Sequence, residues 1–159
     1  MKIKIGTLTI NTFDSKNLKD YKFVREIGND KEVKEYLGDN VSNTFIPKEN
    51  EKGLALGRSY IVKNNDESIG FFSIESMNSE EVVINYGVHE NYRNKGYGTK
   101  ILCEISNFFL TITKANNIVL NIDAYNKGCI KCAKNADFKL KNVIEAGVND
   151  AIMVYKKQR

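Results

Sequence analysis

The chain has no tryptophan, a single proline, Pro47, and a single histidine, His89. Its three cysteines, Cys103, Cys129 and Cys132, are odd in number, so they cannot all pair. With no signal peptide apparent, they point to a reducing compartment, and a cytoplasmic protein is expected. A four-ligand zinc site built from Cys and His would need all three cysteines and His89. Cys103 falls inside a helical pattern far from the other two, so no metal is expected. No apolar stretch approaches the roughly 20 residues of a membrane span. Met1 to Ile10 alternates apolar residues with lysine and threonine, unlike a signal segment. The lysines are scattered rather than clustered, which argues against a nucleic-acid footprint. Repeats, low-complexity tracts and linkers are missing too, so residues 1–159 are expected to form one domain.

What is present is an ordinary globular composition, 42% hydrophobic and 28% charged, with a net charge of +4. A modest positive field favours an anionic ligand. Lys4 to Phe13 reads as one strand, or two short ones broken at Gly6. Asp14 or Ser15 can cap a helix carrying Leu18, Tyr21, Val24 and Ile27 at helical spacing and ending at Gly28. Asn29 or Asp30 then caps a short helix with Val33, Tyr36 and Leu37 on one side and Gly38 beyond. Residues 39–47 are loop-like, and Pro47 can open a short helix to about Leu56. Strands follow at Ser59 to Lys63, Ser68 to Ser76 and Val82 to Val88, with turns at Asn64-Asn65-Asp66 and near Asn78-Ser79. Thr99 to Thr113 is the clearest helix, with Ile101, Leu102, Ile105, Phe108, Phe109 and Ile112 as its apolar stripe. Ile118 to Ile122 is a buried strand, Lys127 to Ala136 a helix, and Phe138 to Ile144 and Ala151 to Tyr155 two closing strands. This order gives a mixed α/β (α+β) domain.

The chemistry concentrates between Val82 and Lys100. A strand ends at Val88, a polar loop runs from His89 to Gly98, and the long helix opens at Gly98 or Thr99. The first N–H groups of a helix lack internal partners, and the helix dipole adds positive potential there. Glycines let a backbone approach a phosphate closely. Arg93 and Lys95 add formal charge, and an arginine can grip phosphate oxygens in a bidentate fashion. Neither G-x-G-x-x-G nor G-x-x-x-x-G-K-[ST] occurs; the spacing is R-x-x-G-x-G, at Arg93, Gly96 and Gly98. Spacing alone also allows a tight strand-to-helix turn with no ligand.

With its surroundings, Val88-His89-Glu90-Asn91-Tyr92-Arg93-Asn94-Lys95-Gly96-Tyr97-Gly98 resembles motif A of the GNAT superfamily of N-acetyltransferases. Asn126 through Cys129 to Asp137-Phe138 resembles that family's second signature. Leu8-Thr9-Ile10 and Asp30 to Leu37 are similar to the subgroup that includes ribosomal-protein N-terminal acetyltransferases. The resemblance implies a mostly antiparallel sheet of six to seven strands with splayed central strands and about four helices. It implies acetyl-CoA as cosubstrate. Tyr86, Gly87 and Val88 would take the pantetheine arm through their backbone. Arg93, Asn94, Lys95, Gly96, Tyr97, Gly98 and Thr99 would hold the pyrophosphate, and Asn126 would touch the cofactor. The partner implied is a primary amine, on a small molecule or a protein N-terminus, acetylated by direct attack on the thioester. Neither nucleic acid nor membrane is expected as a partner, and the chain can be a monomer or a homodimer.

The Val88 N–H is the expected oxyanion donor. Where many members carry an acidic tyrosine, seven residues after the signature asparagine, this chain has Ala133. The subgroup often has a serine three residues after that asparagine; this chain has Cys129, a candidate acid or simply a small residue at a helix start. The subgroup's strand glutamate is replaced by Val83, leaving Glu75, Glu81 and Asp123 as candidate bases, with Glu75 first. His89 reads as a loop residue. Asp39, Glu49 and Glu51 lie in the region expected to shape the acceptor pocket. The missing tyrosine and glutamate leave open a non-catalytic acyl-CoA-binding module.

Overall fold

A computed structural model of the protein describes residues 1–48 and 51–159. Glu49 lies outside them. The N-terminal segment is a hairpin of two short strands, β1 (Lys2–Ile5) and β2 (Leu8–Asn11), because Gly6 takes a left-handed φ of +55° and turns the chain. Next come α1 (Leu18–Asn29), α2 (Lys31–Leu37), and a single turn of helix, α3 (Val41–Thr44). The middle of the chain is a meander of β3 (Ser59–Asn64), β4 (Glu67–Met77) and β5 (Glu81–Val88). A 3-10 turn at Glu90–Tyr92 leads to α4 (Tyr97–Ile112), then β6 (Asn117–Asp123), α5 (Lys127–Asn135), β7 (Lys139–Gly147) and β8 (Asp150–Gln158).

All eight strands form one sheet, in the order β1-β2-β3-β4-β5-β6-β8-β7. Every pairing is antiparallel except β5 with β6. The sheet thus has one strand more than the upper expectation, since the first segment splits in two. Among the described residues five helices stand where about four were expected. The extra one, α3, falls in the supposed loop of residues 39–47, where burial of Val41 and of Phe45 just after it draws the turn inward. Pro47 opens no helix among the described residues, and Gly53 and Gly57 both hold positive φ in that stretch.

Among the described residues two large cores flank the sheet, beside a small cluster of Val83, Val119 and Val154. One joins Tyr60, Phe72, Ile84, Tyr86 and Tyr155 to the Ile101, Leu102, Ile105 and Phe109 stripe of α4 and to Ala133 of α5. Phe108 only leans on this core, and Ile112 is exposed. The other joins Phe23, Val24 and Ile27 of α1 to Val33, Val41, Phe45, Ile61 and Phe71. The buried face of α1 is therefore Asp20, Phe23, Val24 and Ile27, while the expected Leu18 and Tyr21 are exposed. Phe23 turns inward onto Phe45 and His89. Asn17, rather than Asp14 or Ser15, caps the helix, accepting from the N–H groups of Lys19 and Asp20. Asp20 is buried against Lys63 at 3.2 Å. The helix also runs past Gly28 to Asn29, closing at Asp30. Among the described residues no helix is long and apolar enough to cross a membrane.

Candidate active site

The sheet opens at its parallel pair. Only Glu81, Val82 and Val83 of β5 match Asn117, Ile118 and Val119 of β6. Beyond them the strands diverge, β5 toward Val88 and β6 toward Asp123. Into this split fits a cavity of about 420 Å³. Its walls are Ile84 to Val88 of β5 and Leu120 to Asp123 of β6. Val33 and Tyr36 of α2 form one side, Arg93 and Asn94 one end, and Asn126 and Cys129 the start of α5.

The register fixes which backbone groups face the gap. Gly70 stands opposite Val88 and Phe71 opposite Gly87. The His89 N–H donates to the Ile69 carbonyl at 2.9 Å. By the alternation of an antiparallel ladder, the polar groups of Gly87 also turn to β4, and those of Tyr86 and Val88 turn to the split. The Val88 carbonyl is taken by the Arg93 Nε–H at 3.1 Å, which leaves the Val88 N–H as a donor facing the cavity.

The loop beyond Val88 is held from both sides. His89, 4% exposed, stacks on Phe23 and lies 2.6 Å from Glu26 of α1 through Nε2. Its Nδ1 accepts from the Asn91 N–H at 3.1 Å, so the ring caps the 3-10 turn. Arg93 donates to Asp30 at 2.9 Å and lies 3.4 Å from Glu32. Asp30 in turn caps α2 by accepting from the Val33 N–H at 3.1 Å. The guanidinium thus lies between two carboxylates and braces the loop to the start of α2. The signal was in the sequence as two neighbouring carboxylates, Asp30 and Glu32, but nothing in the spacing connected them to Arg93.

α4 begins at Tyr97, two residues before Thr99, with Gly96 as its cap at φ +84°. No side chain caps it, and the first intrahelical bond is from the Lys100 N–H to the Gly96 carbonyl. The N–H groups of Tyr97, Gly98 and Thr99 thus make no helical bond. Lys95 is exposed and folds back to the Asn91 carbonyl at 3.0 Å. Asn94, also left-handed at φ +59°, lines the cavity end. Gly98 does a different job: a Cβ there would sit 2.6 Å from the Cys132 sulfur, so its bare backbone lets α5 pack against α4.

At the other end Asn126 caps α5 by accepting from the Cys129 N–H at 3.3 Å. Cys129 lines the cavity, and burial pushes its thiol pKa up, so the proton stays on sulfur at neutral pH. Ala133 is fully buried. Glu75 does not line the cavity. It is exposed at the bulge of β4 and reaches the cavity wall only through Asn85, 3.4 Å away. Glu81 pairs with Lys156 at 3.1 Å. Among the described residues the lining carboxylates are Glu32 and Asp123; Glu32 faces Arg93, and Asp123 accepts from the Tyr125 N–H at 2.8 Å. Of the residues expected near an acceptor, Glu51 is bound to Arg58 at 2.6 Å and Asp39 is exposed; neither lines the cavity.

No curated protein sequence matches the chain. Solved structures share its fold at low identity. A GNAT-family acetyltransferase from Bacillus anthracis superposes with a TM-score of 0.75 at 16% identity, over 99% of this chain and 98% of that one. The Salmonella typhimurium acetyltransferase that modifies the N-terminal serine of 50S ribosomal subunit protein L7/L12 gives 0.77 at 14%, over 100% and 99%. The aminoglycoside acetyltransferase AAC(6')-Ib, in complex with coenzyme A, gives 0.72 at 18%, over 96% and 94%. The acetyltransferase (GNAT) domain family itself matches residues 7–139. A split parallel pair ending at an uncapped helix, together with that match, establishes that the chain belongs to the GNAT family of acetyltransferases.

Proposed function

We propose that the chain binds acetyl-CoA in the split between β5 and β6 and transfers the acetyl group to a primary amine. The observation that carries the reading is the split itself, with a free Val88 N–H inside it and an uncapped α4 N-terminus at its end. The three unpaired N–H groups of α4 and the charge of Lys95 suit a pyrophosphate. The unpaired edges of Tyr86 and Val88 suit an amide-bearing arm laid along β5, as an added strand would be. Gly87 contributes by shape, since its ladder groups face β4.

The mechanism follows from these groups. An amine lone pair attacks the thioester carbonyl, and the Val88 N–H donates to the oxygen as charge gathers on it. The Cys129 thiol, protonated at neutral pH, gives its proton to the departing sulfur. Asp123 takes the amine proton directly or through one water, being the lining carboxylate not engaged by Arg93. Glu75 acts on the site only through Asn85. The acceptor belongs to one of the two kinds for which the structural neighbours are named, a protein N-terminus or a small-molecule amine.

Calorimetry with acetyl-CoA tests the first half, on the wild type and on Lys95→Glu. Reversing this exposed charge beside the loop weakens binding by about tenfold, or about 1.4 kcal/mol. A folded wild type that does not bind acetyl-CoA refutes the reading. Release of free thiol in the presence of an amine panel tests the second half. Tight binding with no release on any amine would make the chain an acyl-CoA-binding module instead.

A further inference from the structure

The chain's one histidine stands where β5 becomes the cofactor loop, directly after Val88. Its ring is buried, and both of its nitrogens hold the loop in place. Nε2 lies 2.6 Å from a Glu26 oxygen on α1, and Nδ1 accepts from the Asn91 N–H at 3.1 Å. The backbone is fixed as well. The His89 N–H donates to the Ile69 carbonyl of β4, and the His89 carbonyl accepts from the Tyr92 N–H at 2.8 Å. From the ring, aromatic contacts lead on to α4. Tyr92 stands edge-on to the imidazole at 6.0 Å, and Tyr97, the first residue of α4, stands edge-on to Tyr92 at 5.7 Å. The Asn91 peptide is held at both ends, since its carbonyl accepts from the Lys95 ammonium at 3.0 Å. The placing of Lys95 and of the uncapped α4 N-terminus therefore depends on the turn that this ring caps.

The same hydrogen bonds fix where the ring's proton sits. A nitrogen that accepts from a backbone N–H keeps its lone pair, so the imidazole proton is on Nε2, directed at Glu26. A second proton, on Nδ1, would set two donors against each other, and the ring would have to leave Asn91. The charged neighbours do not all agree with that. Glu26 favours an imidazolium, and its other oxygen is shared with Lys22 at 3.7 Å. Glu90, next in the chain, is exposed to solvent. Tyr92 donates its hydroxyl to Glu67 at 2.8 Å, and the contact from β4 is the uncharged Ile69 carbonyl. We infer that His89 is a positioning residue for the acetyl-CoA loop, holding it only while the ring is neutral, so that acid releases the turn and weakens cofactor binding. This rests on the reading of the split as an acetyl-CoA site. The sign follows from linkage. With the turn formed, the ring carries one proton fewer than when it is released to Glu26, so acidification favours the released state. Histidine changes charge within about pH 5 to 8, and this chain has no other.

Acetyl-CoA calorimetry from about pH 7.5 down to about 5.5 tests this on the wild type and two variants. Asparagine offers an amide oxygen in place of Nδ1 and does not titrate, so His89→Asn keeps the cap without the switch. His89→Ala loses both. At the upper pH His89→Asn stays within about threefold of the wild type, while His89→Ala binds about tenfold more weakly. On acidification the wild type loses about tenfold more affinity than His89→Asn. The ligand's own phosphates titrate alike in every sample, so the ratio of the two proteins isolates the ring. A histidine with a purely structural role would lower the urea midpoint when replaced but leave the two pH profiles parallel, and parallel profiles overturn the proposal alone. A folded wild type that binds no acetyl-CoA at the upper pH overturns it together with the reading of the site. A second readout needs neither variant nor ligand. In untagged protein labelled with nitrogen-15, the single imidazole gives one pair of ring signals, and the Asn91 amide is followed in the same sample. The expected result is a neutral ring protonated on Nε2, with Asn91 protection falling as the ring takes its second proton. A neutral ring protonated on Nδ1, or an Asn91 amide indifferent to the ring's charge, overturns the proposal whatever the calorimetry gives.

Discussion

At the scale of single residues, the side chains that matter most to the loop are those with two tasks. Asp30 is one: one carboxylate oxygen caps α2 at the Val33 N–H and the other takes Arg93 at 2.9 Å. It is 8% exposed. Removing it leaves a partly buried guanidinium short of a partner and an uncapped helix. Asp30→Ala is expected to cost about 2–3 kcal/mol by urea denaturation. Asp30→Asn keeps the cap and loses roughly half of that. Equal losses in the two variants would show that the cap carries nothing. The sequence offered Asp30 as a cap and Arg93 as a loop residue, 63 positions apart, and each role was legible alone. Their meeting was not, since ion pairing at that separation depends on how α2 is carried back over β5. The same holds for Glu26 and His89.

At the scale of elements, the packing of α4 on α5 depends on one missing side chain. A Cβ at Gly98 would lie 2.6 Å from the Cys132 sulfur and 3.5 Å from Val88 Cγ2. Gly98→Ala is expected to destabilise by about 1–3 kcal/mol through overpacking. Cys132→Ala should restore most of that loss, because a methyl fills part of the space the sulfur held. A loss of the same size in both backgrounds would mean that the clash is not with Cys132. Gly96 is different: its Cβ would meet open space, but its φ of +84° disfavours any side chain. The R-x-x-G-x-G spacing therefore joins two unlike requirements, one of backbone conformation and one of helix contact. Most strands and the long helix were legible as elements, because periods of 2 and 3.6 survive in β3, β4, β5 and α4. α3 was not, since four residues are too few to show a period. The buried face of α1 was read in part: Val24 and Ile27 are buried as expected, but Phe23 turns inward in place of Leu18 and Tyr21, since that depends on what the helix packs against.

At the scale of the whole molecule, several groups titrate higher in the fold than in an unfolded chain. Burial raises Tyr86 well above its ordinary 10.0 and Cys129 above 9.0. Burial also raises Tyr60, while for Tyr92 the hydrogen bond to Glu67 is the main cause. The unfolded chain therefore releases these protons at lower pH than the folded one. Where the folded state holds more protons, stability falls as pH rises. The contribution is present in full below about pH 9 and is lost as pH climbs through the raised folded values. The urea midpoint is expected to be flat from about pH 7 to 8.5 and to decline steadily toward about pH 11. A Tyr86→Phe, Cys129→Ala double variant should show a shallower decline, and an identical slope would remove these two groups as its source.

The sequence by itself determined the alternation of strands and helices, the glycine-bearing turn into α4, and the family, because each is encoded within about a dozen neighbouring residues. The resemblance implied splayed central strands, but only the tertiary structure decided that the parallel pair holds for three residues before parting, since that depends on β8 pairing along the whole far edge of β6 while β5 follows β4. It also decided that Arg93 pairs with Asp30 at the start of α2, that Glu75 faces solvent, and that Glu32 and Asp123 line the cavity. Those facts join residues tens of positions apart, and no local period or motif carries information about a contact made only when the sheet closes.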